Sequence, residues 1–265
     1  MASEKTIVFI TGANSGIGLE TVLALSQASP DFHILLGARS IERGEKALSE
    51  IRSSAAAHPG GPLKGTISVI QIDVSDEASI RAAASRIESD YGKLDALINN
   101  AGIVVTRPGC DTLTNLRETF ETNVFGPMLL TEVLEPLLKK SNKTPYIIHV
   151  SSGLGSVGLR LDPDDQYKGV RAEAYRMSKA AMNMMAACHG YNYRAEGLGW
   201  KVCAFNPGYC VTNLTGAEDR ENRTQKGARP ARDPAEALVE IVQGKRDGDL
   251  AMSGIVDLDG GVLPW

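Results

Sequence analysis

Tyr175-Arg176-Met177-Ser178-Lys179 sets a phenol and an ammonium four residues apart, at the head of a run through Ala180, Met182, Met185 and Ala186 patterned as an apolar helix. Side chains four apart on a helix share one face, one turn from each other. A phenol, with a pKa of about 10, is a poor acid or base at neutral pH unless its surroundings shift it. A cation one turn away favours the phenolate, which predicts a lowered value for Tyr175. Ser152 follows the apolar run Tyr146 to Val150, and its hydroxyl can donate to an oxygen on which negative charge develops. Proton exchange at a carbonyl or carbinol oxygen is the chemistry open to such a set. Tyr-x-x-x-Lys alone also fits the start of an ordinary surface helix, so its meaning depends on what surrounds it.

The elements that must position these groups begin near the amino end. Ile7 to Thr11, with Phe9 inside it, is an apolar run that stops at Gly12; glycines follow at 16 and 18, and an amphipathic pattern opens at Ile17, Val22, Leu23 and Leu25. A buried parallel strand, a glycine-rich turn and a helix in that order bring free N–H groups and a positive dipole end to a spot that suits a pyrophosphate. Gly12 makes the tight turn, Gly16 lets backbone approach phosphate, and Gly18 lets helix and strand pack closely.

Further apolar runs, each ending in polar or small residues, follow in regular alternation with helical patterns. His33 to Gly37 ends in Ala38-Arg39-Ser40, where Ser40 suits a helix N-cap. An acidic residue at such a strand end takes a ribose hydroxyl, whereas an arginine suits a 2′-phosphate; Ala38 stands where the acid would be, with Arg39 next. Thr66 to Ile72 leads to Asp73-Val74-Ser75, in which Asp73 can accept from an adenine amino group and Ser75 is expected to cap the next helix. Leu94 to Ile98 leads to Asn99-Asn100-Ala101-Gly102, where amides can crosslink strand ends. A long helical pattern from 111 to 140 is expected to bend at Pro127 and Pro136 and carries Asn123 within an apolar face. A buried asparagine there needs hydrogen-bond partners. After the fifth strand an irregular stretch, 154–173, precedes Tyr175. The sixth, Lys201 to Asn206, ends in Pro207-Gly208-Tyr209-Cys210-Val211-Thr212, and a polar, basic segment 215–232 follows before a helix at 233–242 and a last strand at 253–258. Seven strands alternating with about six helices predict an α/β fold, a Rossmann-type doubly wound parallel sheet in one domain spanning 1–265.

Thr11 to Gly18, Asn99 to Gly102, Asn123, Ser151-Ser152, Tyr175-x-x-x-Lys179 and Pro207-Gly208, in that order, resemble the signatures of the short-chain dehydrogenase/reductase family. The resemblance runs over essentially the whole chain. It implies hydride transfer between a nicotinamide and a small-molecule carbonyl or alcohol, with Asn123, Ser152, Tyr175 and Lys179 as the catalytic set and Asn123 holding a water in a proton relay. It implies a cofactor held by Gly12, Asn14, Ser15, Gly16, Ile17 and Gly18 at the phosphates, and by Asp73 and the Val74 N–H at adenine. Asn100, Ala101 and Gly102 would lie beside ribose, which Tyr175 and Lys179 also reach. Pro207, Gly208, the main chain near Cys210, and Thr212 would meet the nicotinamide amide. With Arg39, the expected cofactor is NADP(H).

Some features depart from the family pattern. Ser152 and Tyr175 stand 23 residues apart, further than is usual, and the excess resembles the insertions of carbonyl-reductase and retinol-dehydrogenase-like members. Cys210 replaces a branched aliphatic residue, Arg176 adds a charge beside the tyrosine, and the Leu-Pro-Trp ending resembles some fungal members, which suggests secondary metabolism. Loops 153–174 and 209–232 are expected to bind substrate. Leu154, Val157, Leu159, Tyr167, Tyr209 and Leu214 make an apolar mouth that favours a hydrophobic substrate, and Arg160, Arg171 or Arg176 could meet a carboxylate. The segment 215–232 suits a lid. Two rival readings are a member recruited to lyase, isomerase or cyclase work, and a cofactor-binding regulator; the latter is expected to lose Tyr or Lys, and neither is lost.

A net charge of −4 supplies no basic field for nucleic acid or an anionic membrane. No apolar run approaches 18 residues, so no membrane span is expected, and a first strand beginning at Thr6 leaves little room for a signal peptide. Cys110, Cys188, Cys203 and Cys210 show no metal-ligand spacing. They read as reduced thiols in a cytoplasmic protein without a metal, either monomer or homodimer.

Overall fold

The structure, a computed structural model, describes residues 4–265. Strands β1 (Thr6–Ile10), β2 (Phe32–Ala38), β3 (Thr66–Gln71), β4 (Ala96–Asn99), β5 (Tyr146–Val150), β6 (Lys201–Asn206), β7 (Ile255–Asp257) and β8 (Val262–Leu263) form one sheet in the order β3-β2-β1-β4-β5-β6-β7-β8. The first seven are parallel. The eighth, beyond the seven expected, turns back at Gly260 and Gly261, both at positive φ, and pairs antiparallel with β7.

Helices α1 (Gly16–Ala28), α2 (Ile41–Ser54), α3 (Glu77–Tyr91), α4 (Thr112–Phe120), α5 (Gly126–Leu138), α6 (Val157–Leu161), α7 (Glu173–Ala195), α8 (Arg220–Gln225), α9 (Arg232–Val242) and α10 (Asp247–Leu250) fill the connections. The alternation of β1 accounts for its continuous apolar run. Val8 and Ile10 enter one core with Val22, Leu25, Leu238 and Ile241, while Ile7 and Phe9 enter the other with Ile80, Ile87, Leu130 and Leu134. A strand buried on both faces has no polar side to show.

Strand order reverses at β1, which pairs with β2 on one side and with β4 on the other. In such sheets a crevice opens outside the carboxyl ends at this point. The residues singled out for chemistry follow the carboxyl ends of β1 to β6 or project from α7 behind them.

Three local expectations are corrected. The 111–140 helix is interrupted by a π turn at Glu121–Phe125, between α4 and α5, while Pro136 lies inside α5. Pro127 has no N–H for the carbonyl four residues back, that of Asn123, and its ring crowds that carbonyl, so the regular ladder cannot continue there. Asp76, not Ser75, caps α3, its side chain accepting from Ala78 N–H at 2.9 Å. The stretches 154–173 and 215–232 are not wholly irregular: the first contains α6, and the second carries a 3-10 turn at Ala217–Asp219 and α8. No described helix is long and apolar enough to cross a membrane.

Candidate active site

A cavity of about 750 Å³ lies along the carboxyl edge of the sheet. Gly12, Asn14, Ser15, Gly16, Ile17, Arg39, Asp73, Val74, Asn100, Ala101, Gly102, Ser152, Tyr175, Lys179, Pro207, Gly208, Cys210 and Thr212 all line it. Residues from both ends of the chain thus converge as the sequence predicts. Two expected residues stand behind the wall. A Cβ on Gly18 would come within 2.5 Å of Asn100 Nδ2 and 2.7 Å of the Gly12 carbonyl, so this glycine serves close packing. Asn123 is fully buried and commits its side chain to the protein: Oδ1 accepts from Ile103 N–H at 2.8 Å, and Nδ2 donates to the Ile103 carbonyl and to Ser178 Oγ, both at 3.0 Å. Any relay through Asn123 must therefore use its main-chain carbonyl, the group Pro127 leaves without its helical donor.

At one end of the cavity the amino terminus of α1 is open. Ser15 is the N-cap, yet its side chain accepts nothing from the first turn, and that turn holds no acidic residue. The orphan N–H groups there await an anion. Gly16, at φ +57°, keeps the backbone bare, and Asn100 Nδ2 crosslinks β1 to β4 through the Thr11 and Gly12 carbonyls at 2.8 and 3.2 Å. Arg39 is joined on the rim by Arg43 and Lys46, which the sequence pattern had not brought forward. Neither arginine has an ion-pair partner among the described residues. Arg43 and Lys46, three apart on α2, could have been flagged as one face directly after Arg39. Asp73 lines the wall while its Oδ1 accepts from the Ser75 N–H and hydroxyl at 2.9 and 2.6 Å.

At the other end Lys179 Nζ donates to the Val150 carbonyl at 2.7 Å and lies 5.6 Å from the centre of the Tyr175 ring. Gly102 keeps space beside it: a Cβ there would sit 3.6 Å from Nζ. No carboxylate pairs with this buried ammonium among the described residues, and desolvation brings its pKa down to about 7. Tyr175 departs from expectation. Burial pushes its phenol up to about 12, against the smaller opposing pulls of the Ser152 hydroxyl and the Arg223 guanidinium. The phenol is accordingly held protonated, because loss of water costs the phenolate more than the nearby groups return. Burial also lifts the Cys210 thiol to about 11, which makes it an inert wall residue.

Arg176 plays a structural part. Its Nε, Nη1 and Nη2 donate to the carbonyls of Val170, Leu154 and Tyr167 at 3.0, 3.2 and 2.8 Å. It clasps the long insertion to α7. The expected apolar mouth is corrected: Leu214 lines the cavity, but Leu154, Val157, Leu159, Tyr167 and Tyr209 do not, Val157 being largely exposed and Tyr209 lying against Arg223. Arg223 lines the cavity as well and was missed as a site residue, since its segment shows no periodicity from which burial could be read.

A mostly parallel sheet with reversed strand order, and a cavity joining a bare helix terminus to a Ser-Tyr-Lys group, define a nucleotide-dependent oxidoreductase architecture. The family described as short chain dehydrogenase matches residues 6–223, and the chain belongs to that family. It is 36% identical over 233 residues to the short-chain dehydrogenase anuI of Penicillium roqueforti, covering 86% of this chain and 88% of that protein. It is 31% identical over 276 residues to the short-chain dehydrogenase/reductase tropE of Talaromyces stipitatus, covering 99% of each. Among solved structures, NADPH-bound carbonyl reductase from chicken fatty liver is similar with a TM-score of 0.75 and 28% identity, over 99% of this chain and 100% of that one.

Proposed function

We propose that the protein reduces a carbonyl group of a hydrophobic small molecule with NADPH. One observation carries this reading: a single cavity is lined by the bare α1 terminus, by Arg39, Arg43 and Lys46, and by Ser152, Tyr175 and Lys179. The residues fit the cofactor. Open N–H groups beside Gly16 suit a pyrophosphate, and the unpaired arginines suit a 2′-phosphate, for which an acidic residue at Ala38 would be wrong. Asp73 and the Val74 N–H suit adenine, Ala101 and Gly102 leave room for ribose, and Thr212 with the main chain at Cys210 suits the nicotinamide amide. The NADPH-bound state of the chicken carbonyl reductase supports the same choice.

When bound, NADPH supplies the hydride that goes to the carbonyl carbon. Tyr175, kept protonated by burial, gives its proton to the carbonyl oxygen. Ser152 donates a hydrogen bond to that oxygen as its charge grows. Lys179 holds the cofactor ribose and stabilises the phenolate left on Tyr175. A water on the Asn123 carbonyl returns the proton from solvent through Lys179. Leu214 lines the same cavity and suits an apolar substrate.

Mixing the protein with NADPH and a panel of aryl ketones, and following the nicotinamide absorbance, tests this. Tyr175→Phe removes the donor alone, so turnover should fall by at least about 10²-fold while NADPH affinity survives. A variant that kept most of its activity would rule out Tyr175 as the proton donor.

A further inference from the structure

Arg223 is 8% exposed, yet no carboxylate lies within ion-pairing distance of it among the described residues. Asp219, a carboxylate that feels its charge, is engaged by the Thr215 hydroxyl at 2.5 Å and by Asn222 at 2.6 Å. Nε and Nη2 both donate to the Cys210 carbonyl, at 2.9 and 2.5 Å, and Nη1 donates to Thr215 Oγ1 at 3.3 Å. Tyr209 covers the guanidinium face, its ring centre 4.7 Å from Cζ. A guanidinium has five N–H donors, so these contacts leave one on Nη1 and one on Nη2.

Burial of a cation is costly unless a counter-charge offsets it. Here the carbonyl and the ring anchor the group, but neither neutralises it. The two remaining N–H donors, one on each terminal nitrogen, are available to a carboxylate, the acceptor that matches a guanidinium fork. That fork belongs to a residue on the wall of the cavity that also holds Tyr175 and Leu214. The other arginines near the insertion do not line the cavity: Arg176 is engaged by three carbonyls, Arg171 pairs with Glu173 on the surface, and Arg160 is exposed.

We infer that Arg223 is a specificity residue for a carboxylate on the carbonyl substrate, so that the preferred substrate is an apolar keto acid and not a neutral ketone. The inference rests on the proposed carbonyl reduction for the identity of the reacting group. It does not rest on it for the recognition of the acid. The α8 segment thus contributes charge selection to a pocket to which Leu214 supplies an apolar wall. Tyr209 keeps one face of the guanidinium covered.

The test uses 2-, 3- and 4-acetylbenzoate and their methyl esters as probes, which differ in charge and in the spacing from ketone to carboxylate. Isothermal titration into the complex with oxidised NADP reads binding without turnover. Wild type should bind at least one acid about 10- to 100-fold more tightly than its ester, the scale of a charged hydrogen-bonded pair. In Arg223→Met that ratio should collapse to about 1, and in Arg223→Lys, which keeps the charge and loses the fork, it should fall between. NADP affinity is measured separately for each variant. Loss of NADP affinity with an unchanged acid-to-ester ratio would assign Arg223 to the cofactor phosphates and overturn the inference. Absence of acid preference in the wild type at all three positions would overturn it too, whether or not the Met variant folds. Failure of NADP to bind would instead sink the proposed function, and the acid–ester comparison on the free protein would still judge Arg223.

Discussion

Around Gly16, Arg39 and Asp73 the cavity is built from short turns that leave the carboxyl ends of neighbouring parallel strands, whereas around Leu214 and Arg223 it is built from the segment 209–232, braced by the 153–174 insertion outside its lining. The first end is fixed by backbone geometry. Asn100 ties two strand ends together, and a Cβ on Gly12 would strike Ala101 Cα at 2.9 Å, so the turn has one packing available. The second end is fixed by side chains. Arg176 gathers the insertion, Arg223 holds the Cys210 carbonyl, and Arg229 pairs with Asp233 and Asp259 at 2.8 and 2.6 Å. Arginines do there what the strand ends do at the other end. Substitution can therefore remodel the second end while the first stays as it is, which suits a common cofactor and a variable substrate.

The largest effect that separates the two ends is expected at Lys179, which lies between them. Lys179→Met should lower carbonyl reduction by about 10²- to 10⁴-fold, the range for a group assisting proton transfer. It should also raise the melting temperature at neutral pH, because the wild type buries an unpaired ammonium. The sign follows from the folded-state value of about 7 against 10.5 for the free side chain. Between those values the unfolded chain binds the extra proton, so wild-type stability climbs as pH rises from about 7 toward 10.5. Denaturant melts across that window should show the slope in the wild type and its loss in the variant.

Arg39→Ala acts on the first end alone. NADPH binding should weaken by about 1–3 kcal/mol, as for a charged hydrogen bond, with NADH binding nearly unchanged. Fluorescence titration with both nucleotides checks it, and equal loss for both would remove Arg39 from the 2′-phosphate site. The smallest effect probes the second end. Ala172, which leads the insertion into α7, has φ +32° and ψ +49°, a conformation that costs a residue with a Cβ about 1–2 kcal/mol. Ala172→Gly should stabilise the protein by about 1 kcal/mol or less, since the added freedom of the unfolded chain offsets part of the relief. Chemical denaturation reads the change.

The contrast between the ends also explains what was legible. Gly12 to Gly18, Asn99 to Gly102 and the strands before them could be read because burial on both faces and tight turns each demand a few residue types. Ser40 was read as a cap for the same reason, and its hydroxyl accepts from Arg43 N–H at 3.3 Å. Arg43 and Lys46 were legible in their spacing on α2 and went unread. Arg223 was not legible: α8 is too short for a period, and nothing in Arg-Glu-Asn-Arg says which arginine turns inward. Arg176 failed differently, since a charge beside the tyrosine could meet a substrate carboxylate until its three carbonyl partners are seen. The Tyr175 phenol was misjudged because a lysine four residues away is visible in sequence, and the loss of water around the ring is not.

Transfer of a labelled hydride tests the central claim most directly. NADPH deuterated at nicotinamide C4 on the transferred face is incubated with the protein and an accepted ketone, and the alcohol is analysed by mass spectrometry. The account predicts one deuterium on the carbinol carbon of each product molecule, with formation of that product falling by at least about 10²-fold in Tyr175→Phe. Product formed without deuterium from either face, or formed at an undiminished rate by the Phe variant, would contradict it.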